Sequence, residues 1–179
     1  MKKLLLIAAF LVASISASAQ FYFGGQVGFS RNATDNITTL TIAPEVGYSF
    51  NDRWSFGGVL DYDYSYRNKL DLNIFEISPY ARYKYASVSD DNLKFFVDCG
   101  VGFGVQKAKG FDAGFIYHIG LRPGVSYSFN QHWSIVAHLS QLGWEGATDK
   151  ATGTYGRKNQ FTWNIFDWND LRFGFYYSF

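Results

Sequence analysis

The sequence predicts an all-β fold: an eight-stranded antiparallel up-and-down transmembrane β-barrel. Three observations predict it. The 179 residues include 20% aromatic side chains and 18 Gly against 3 Pro, a profile that suits pleated surfaces and disfavours helices. Bulky apolar residues alternate with small or charged ones in eight stretches, the period-two pattern of a sheet whose two faces meet different surroundings. The stretches run to ten to fifteen residues, long for a soluble sheet and matched, with some overhang, to the ~9–11 residues a tilted strand needs to cross a bilayer.

Composition excludes several alternatives. The chain is 47% hydrophobic with a mean hydropathy near neutral, so its apolar residues do not form the long runs that spanning helices need. Formal charge is +1 with no basic or acidic tail, and nothing draws the chain to nucleic acid. The one cysteine, Cys99, excludes an intrachain disulfide framework and a Cys-rich zinc site. Three scattered His make no metal-ligand cluster. Gly100-Val101-Gly102-Phe103-Gly104 lies inside a strand pattern and is no phosphate loop. No cofactor is expected.

In chain order, Lys2 and Lys3 precede the apolar run Leu4 to Val12, and small residues lead to Ala17-Ser18-Ala19. This reads as a secretory signal peptide over 1–19, cleaved after Ala19. Its apolar run is about half the ~20 residues of a spanning helix. Residues 20–179 then form the barrel domain.

Alternation marks strands over 21–30, 39–50, 54–66, 72–85, 93–105, 115–129 and 133–144, with a last strand ending at Phe179. In the third, Trp54, Phe56, Leu60, Tyr62, Tyr64 and Tyr66 share one face, while Ser55, Gly57, Val59, Asp61, Asp63 and Ser65 share the other. Charged residues keep company with Gly and Ser throughout. A soluble barrel turns its apolar face inward. Here the small and charged face suits a crowded lumen and the aromatic face suits lipid.

Connections at 51–53, 86–92 and 130–132 are tighter, and those at 31–38, 106–113 and especially 145–160 are longer. Short turns at one end and longer loops at the other is an outer-membrane barrel pattern; residues 67–71 are the short exception. Two turns are near copies, Tyr48-Ser49-Phe50-Asn51-Asp52-Arg53-Trp54-Ser55 and Tyr127-Ser128-Phe129-Asn130-Gln131-His132-Trp133-Ser134. Each sets a Phe and a Trp (Phe50, Trp54; Phe129, Trp133) outward, where an interfacial aromatic girdle would sit. Pro44, Pro79 and Pro123 fall within strands, each four residues before a Tyr. A local irregularity is expected at each, because proline cannot donate to the ladder.

The chain ends Arg172-Phe173-Gly174-Phe175-Tyr176-Tyr177-Ser178-Phe179. Its Gly174, Tyr177 and Phe179 resemble the terminal pattern that the barrel-assembly machinery recognises in outer-membrane proteins. Over residues 20–179 the sequence resembles the small eight-stranded outer-membrane barrels of the OmpA and OmpX type. Its Asn-x-x-Trp-Ser turns look like those of porin-like barrel proteins common in the Bacteroidetes. The resemblance implies a Gram-negative outer membrane, lipid and the assembly machinery as partners, and both termini in the periplasm.

Parity places Glu45, Asp61, Asp63, Glu76 and Asp98 in the lumen against Arg82, Lys84, Lys94, Arg122 and Arg172, with His118 and His138. Buried charges persist when paired, and an eight-stranded barrel is filled by side chains. Five acids against five bases therefore predict a plugged lumen, with Glu45, Asp61, Asp98, Arg122, His138 and Arg172 in one belt. The expected role is structural, adhesive or surface-interacting through the exterior loops, where an extracellular ligand would bind, without enzymatic activity. A narrow small-solute or ion channel is the alternative. A further one is a lipid A hydrolase, since His138-Leu139-Ser140 resembles the His-x-Ser element of outer-membrane lipid A deacylases. Against it, parity puts both residues on the lumen face and Gln141 stands where that family has Asn.

Overall fold

The computed structural model describes residues 21–32, 37–67, 70–89, 91–148, 159–165 and 172–179. The expected signal peptide, the last loop from 149 to 158 and the polar run at 167–170 lie outside the described residues. The strands are β1 (Phe21–Asn32), β2 (Ile37–Ser49), β3 (Trp54–Arg67), β4 (Leu70–Val88), β5 (Leu93–Ala108), β6 (Gly114–Ser128), β7 (Trp133–His138), β8 (Ser140–Ala147), β9 (Gln160–Ile165) and β10 (Arg172–Ser178). All pairings are antiparallel: β1 to β7 pair in sequence order, β8 pairs with β6 and β9, β10 pairs with β7, and β10 closes the sheet on β1 with Tyr22 opposite Ser178. Both β7 and β8 pair with β6, and they are two halves of one stave. β9 and β10 form the next. The result is the closed eight-stranded barrel that the alternation predicts.

The barrel is inside out relative to a soluble one. Asp98 is 1% exposed whereas Phe103, on the same strand, is 52% exposed. Glu45, Asp61, Arg82 and Gln26 are buried, while Phe23, Val27, Phe56, Leu60 and Ile119 face outward. Water would penalise that outer face; hydrocarbon would not.

The turns fold for local reasons. In both near-copy turns the Asn side chain replaces missing backbone partners: Asn51 Oδ1 accepts from the amides of Arg53 (2.9 Å) and Trp54 (2.8 Å). Asn130 Oδ1 accepts from His132 and Trp133, both at 2.8 Å. This is the Asx chemistry that makes Asn a turn residue. Strand β4 runs on to Val88, opposite Leu93, so that connection is tighter than the sequence suggests. At the other end Gly110 takes φ +84°, a conformation that favours glycine.

Each proline interrupts the ladder on one side only. Pairing of β2 with β3 skips Ala43 and Pro44 between Ile42↔Tyr62 and Glu45↔Val59 without a change of register. Pairing of β4 with β5 skips Ser78 and Pro79 in the same way. At Pro123 the partner strand gains a residue. Gly124 lies opposite His138 but Leu121 lies opposite Leu142, and the Leu139 amide donates to the Pro123 carbonyl at 3.0 Å. This is a one-residue bulge, and it separates β7 from β8.

Candidate functional site: a charged network across the lumen

At the level of Arg82 the lumen is filled by one network. The Arg82 guanidinium on β4 donates to Asp98 through Nε (2.7 Å) and Nη2 (2.9 Å), and Nη2 also reaches Glu45 at 3.2 Å. Glu45 on β2 accepts from Tyr176 Oη at 2.6 Å, from Gln26 Nε2 at 3.2 Å and from Tyr80 Oη. Asp98 on β5 also contacts His138 Nε2 at 2.9 Å. Tyr22 and Tyr80 join through their hydroxyls at 2.6 Å. The guanidinium lies over the Phe96 ring, 4.2 Å from its centroid, a cation–π contact strengthened by burial. Side chains from β1, β2, β4, β5, β7 and β10 thus meet across the barrel axis, and each buried charge has hydrogen-bonded partners.

Glycines make room for the rings. Tyr22 lies directly opposite Gly47, Tyr80 opposite Gly57, and Phe96 opposite Gly124. A Cβ at Gly57 would sit 2.5 Å from the Tyr80 hydroxyl, and one at Gly124 would sit 2.4 Å from Phe96 Cζ. Gly174 has the same role, because its Cβ would meet the Tyr176 ring at 2.7 Å and Gln26 Cγ at 2.8 Å.

A cavity of about 200 Å³ lies on the loop side of this network, lined by Asp61, Asp63, Glu76, Arg122, Glu145 and Arg172 among others. Arg172 pairs with Asp61 at 2.5 Å, His118 Nδ1 lies 3.2 Å from Glu76, and Asp63 accepts from the Thr41 hydroxyl. On the turn side, Lys84 and Lys94 line a serine-rich space. Among the described residues no His, Cys, Asp and Glu are grouped to hold a metal.

The expected single belt is therefore two tiers. Glu45, Asp98 and His138 stand in the lower tier with Arg82, while Asp61, Arg122 and Arg172 stand in the upper one with Glu76 and His118. The ten charges divide into two carboxylates and three cations on the turn side, and three carboxylates and two cations on the loop side. Neither half is balanced, and Glu145, which also lines the cavity, adds a sixth carboxylate against the five cations.

The Leu139 bulge corrects the reading of strand seven. Period-two parity inverts there, so His138 is followed on the lumen side by Gln141 and Glu145. Glu145, expected to open a loop, belongs to β8 and lines the cavity. His138 points inward and binds Asp98, away from the outer face that a lipid-cleaving base would need. Ser140 opens β8, and its side chain lies outside the described residues. Tyr22, Gln26, Tyr80, Phe96 and Tyr176 complete the network and, being uncharged, are missed by a count of charges. Parity alone assigns all five to the lumen. Phe50, Trp54, Phe129 and Trp133 stand exposed on the outer surface at the turn end, and Tyr177 packs between His132, Trp133 and Phe179.

A family model described as the outer membrane protein beta-barrel domain matches residues 4–179. Among solved structures, Neisserial surface protein A (NspA) is 17% identical with a TM-score of 0.50, over 89% of this chain and 97% of that one. The outer membrane protein Ail of Yersinia pestis, in a phospholipid bilayer nanodisc, is 14% identical with a TM-score of 0.48, over 90% of this chain and 100% of that one. The likeness to NspA is one of fold. No curated protein matches the sequence.

Proposed function

The chain belongs to the outer membrane protein β-barrel domain family, and from that premise we propose that it is a plugged barrel whose lumen charges fix strand register while its exterior loops interact at the cell surface. The observation that carries the reading is the Arg82 network, which ties six strands together across the axis with enclosed charges. A lumen filled in this way leaves the loop rim as the place where recognition varies. The role is thus structural, adhesive or ligand-binding. In this reading residues 1–19 are removed on export. The turn end with both chain termini faces the periplasm, and the Phe50, Trp54, Phe129 and Trp133 girdle rests at the lipid interface. Gly174, Tyr177 and Phe179 engage the assembly machinery.

A narrow solute channel is the second reading, favoured by the cavity and the serine-lined space that flank the network. It requires Arg82 to move. The surface reading is tested in a Gram-negative host by replacing residues 149–158 with a Gly-Ser linker. Cells expressing the wild type should gain adhesion or surface ligand capture, and the loop variant should lose it while keeping a heat-modifiable band in outer-membrane fractions. Unchanged surface behaviour in the loop variant would overturn the loop role, and recovery of the wild type from the soluble periplasm would overturn the placement.

A further inference from the structure

The lumen on the turn side of Arg82 has a composition unlike the rest. The inward positions of the strands one step beyond the plug carry Ser49, Ser55, Ser126, Ser128, Ser134 and Ser178, and with Lys84 and Lys94 they enclose a cup of about 90 Å³. Phe96, Tyr22 and the Arg82 side chain contribute its floor. No carboxylate lines the cup. Asp52 and Asp91 line only the wider space of about 490 Å³ outside it.

The two lysines are set there by the sheet. Lys84 lies opposite Phe96 on β5, and Lys94 lies opposite Ser126 on β6 and Ser87 on β4. Neither forms an ion pair with a described residue, whereas Arg82 one layer deeper is paired twice. Two ammonium groups in one partly enclosed layer repel each other, and Asp52, on the wider space outside, is the described carboxylate that acts on Lys84. Serine hydroxyls rotate to donate, and hydrogen bonds to an anion are among the stronger ones.

We propose that this cup binds a tetrahedral oxyanion, a phosphate or phosphomonoester group, between Lys84 and Lys94 with the serine hydroxyls as donors. The wider space outside gives a phosphomonoester room for its remaining atoms. The anion supplies the negative charge that the turn side of the lumen lacks.

The test is isothermal titration of the full refolded barrel in non-ionic detergent, with inorganic phosphate, glycerol 3-phosphate and neutral glycerol as separate titrants. Phosphate should bind saturably at one site and be displaced by sulfate, and glycerol should give no heat of binding. Lys84→Gln or Lys94→Gln should weaken phosphate about tenfold or more. Ser126→Asp, which sets a carboxylate opposite Lys94, should abolish binding in a barrel that still shows heat-modifiable migration. Lys109→Gln at the loop end should change nothing. Equal binding of glycerol 3-phosphate identifies a phosphomonoester ligand, and binding of inorganic phosphate alone identifies the free ion. Flat titrations with both anions, or phosphate binding that survives Ser126→Asp, would overturn the site.

Discussion

Replacing Arg82 by Met should be among the most damaging single changes in the lumen. The guanidinium makes two hydrogen bonds to Asp98 and one to Glu45, and both carboxylates have side chains that are 0% exposed. Methionine fills much of the same volume over Phe96 but leaves two enclosed carboxylates without their counter-charge. Glu45 keeps Gln26, Tyr80 and Tyr176 as donors. Among the described partners in this network Asp98 keeps the contact with His138, so most of the loss falls there. Removing one partner of a buried pair costs about 3–5 kcal/mol. A triple variant, Glu45→Gln with Arg82→Met and Asp98→Asn, removes the charges together and should recover to within about 1–2 kcal/mol of wild type, since charge-free replacements of buried pairs are often close to neutral. The assay is urea unfolding of barrels refolded into phospholipid vesicles, followed by the fluorescence of the five Trp. A loss below about 1 kcal/mol for Arg82→Met, or a triple variant no better than the single one, would refute the reasoning.

Other outcomes follow from the same geometry. Gly124→Val drives a Cβ to 2.4 Å from Phe96 Cζ and 2.9 Å from the Ala137 carbonyl oxygen. It should cost about 1–3 kcal/mol or more in the same unfolding assay. Asn51→Ala and Asn130→Ala each remove two turn hydrogen bonds. Each should lower stability by about 0.5–1.5 kcal/mol, and the two losses should add because the turns are separate. Ile119→Arg places a charge on the outer face and should destabilise the vesicle-bound barrel by about 2–4 kcal/mol if it lies near the bilayer midplane. Cys99 is exposed on that face, so a fluorophore attached to it should be quenched by brominated lipid and not by aqueous iodide.

Much of this was legible because alternation survives any error in strand ends. The faces of Trp54 to Tyr66 and of Leu93 to Val105 match their exposure in the structure residue by residue in the main. Strand seven is legible only as far as His138 because parity is a local signal, and one extra residue at Leu139 turns Gln141 and Glu145 to the lumen. The extra residue lies opposite Pro123, on a different strand. Pairing was also hidden. Parity places Arg82 and Arg122 on the same face but does not say which one meets Asp98. That depends on side-chain reach as much as on register, since Asp98 lies directly opposite both in the ladder. The ring-on-glycine matches, such as Tyr80 on Gly57, likewise exist only between strands and leave no trace along one.

If the Arg82 network closes the lumen, single-molecule conductance across a planar bilayer will show it. Purified wild-type protein inserted in the bilayer should add no discrete current steps, and Arg122→Ala should leave the trace as quiet. Regular openings from the wild type that disappear in Arg122→Ala would contradict the plug and make the protein a narrow channel.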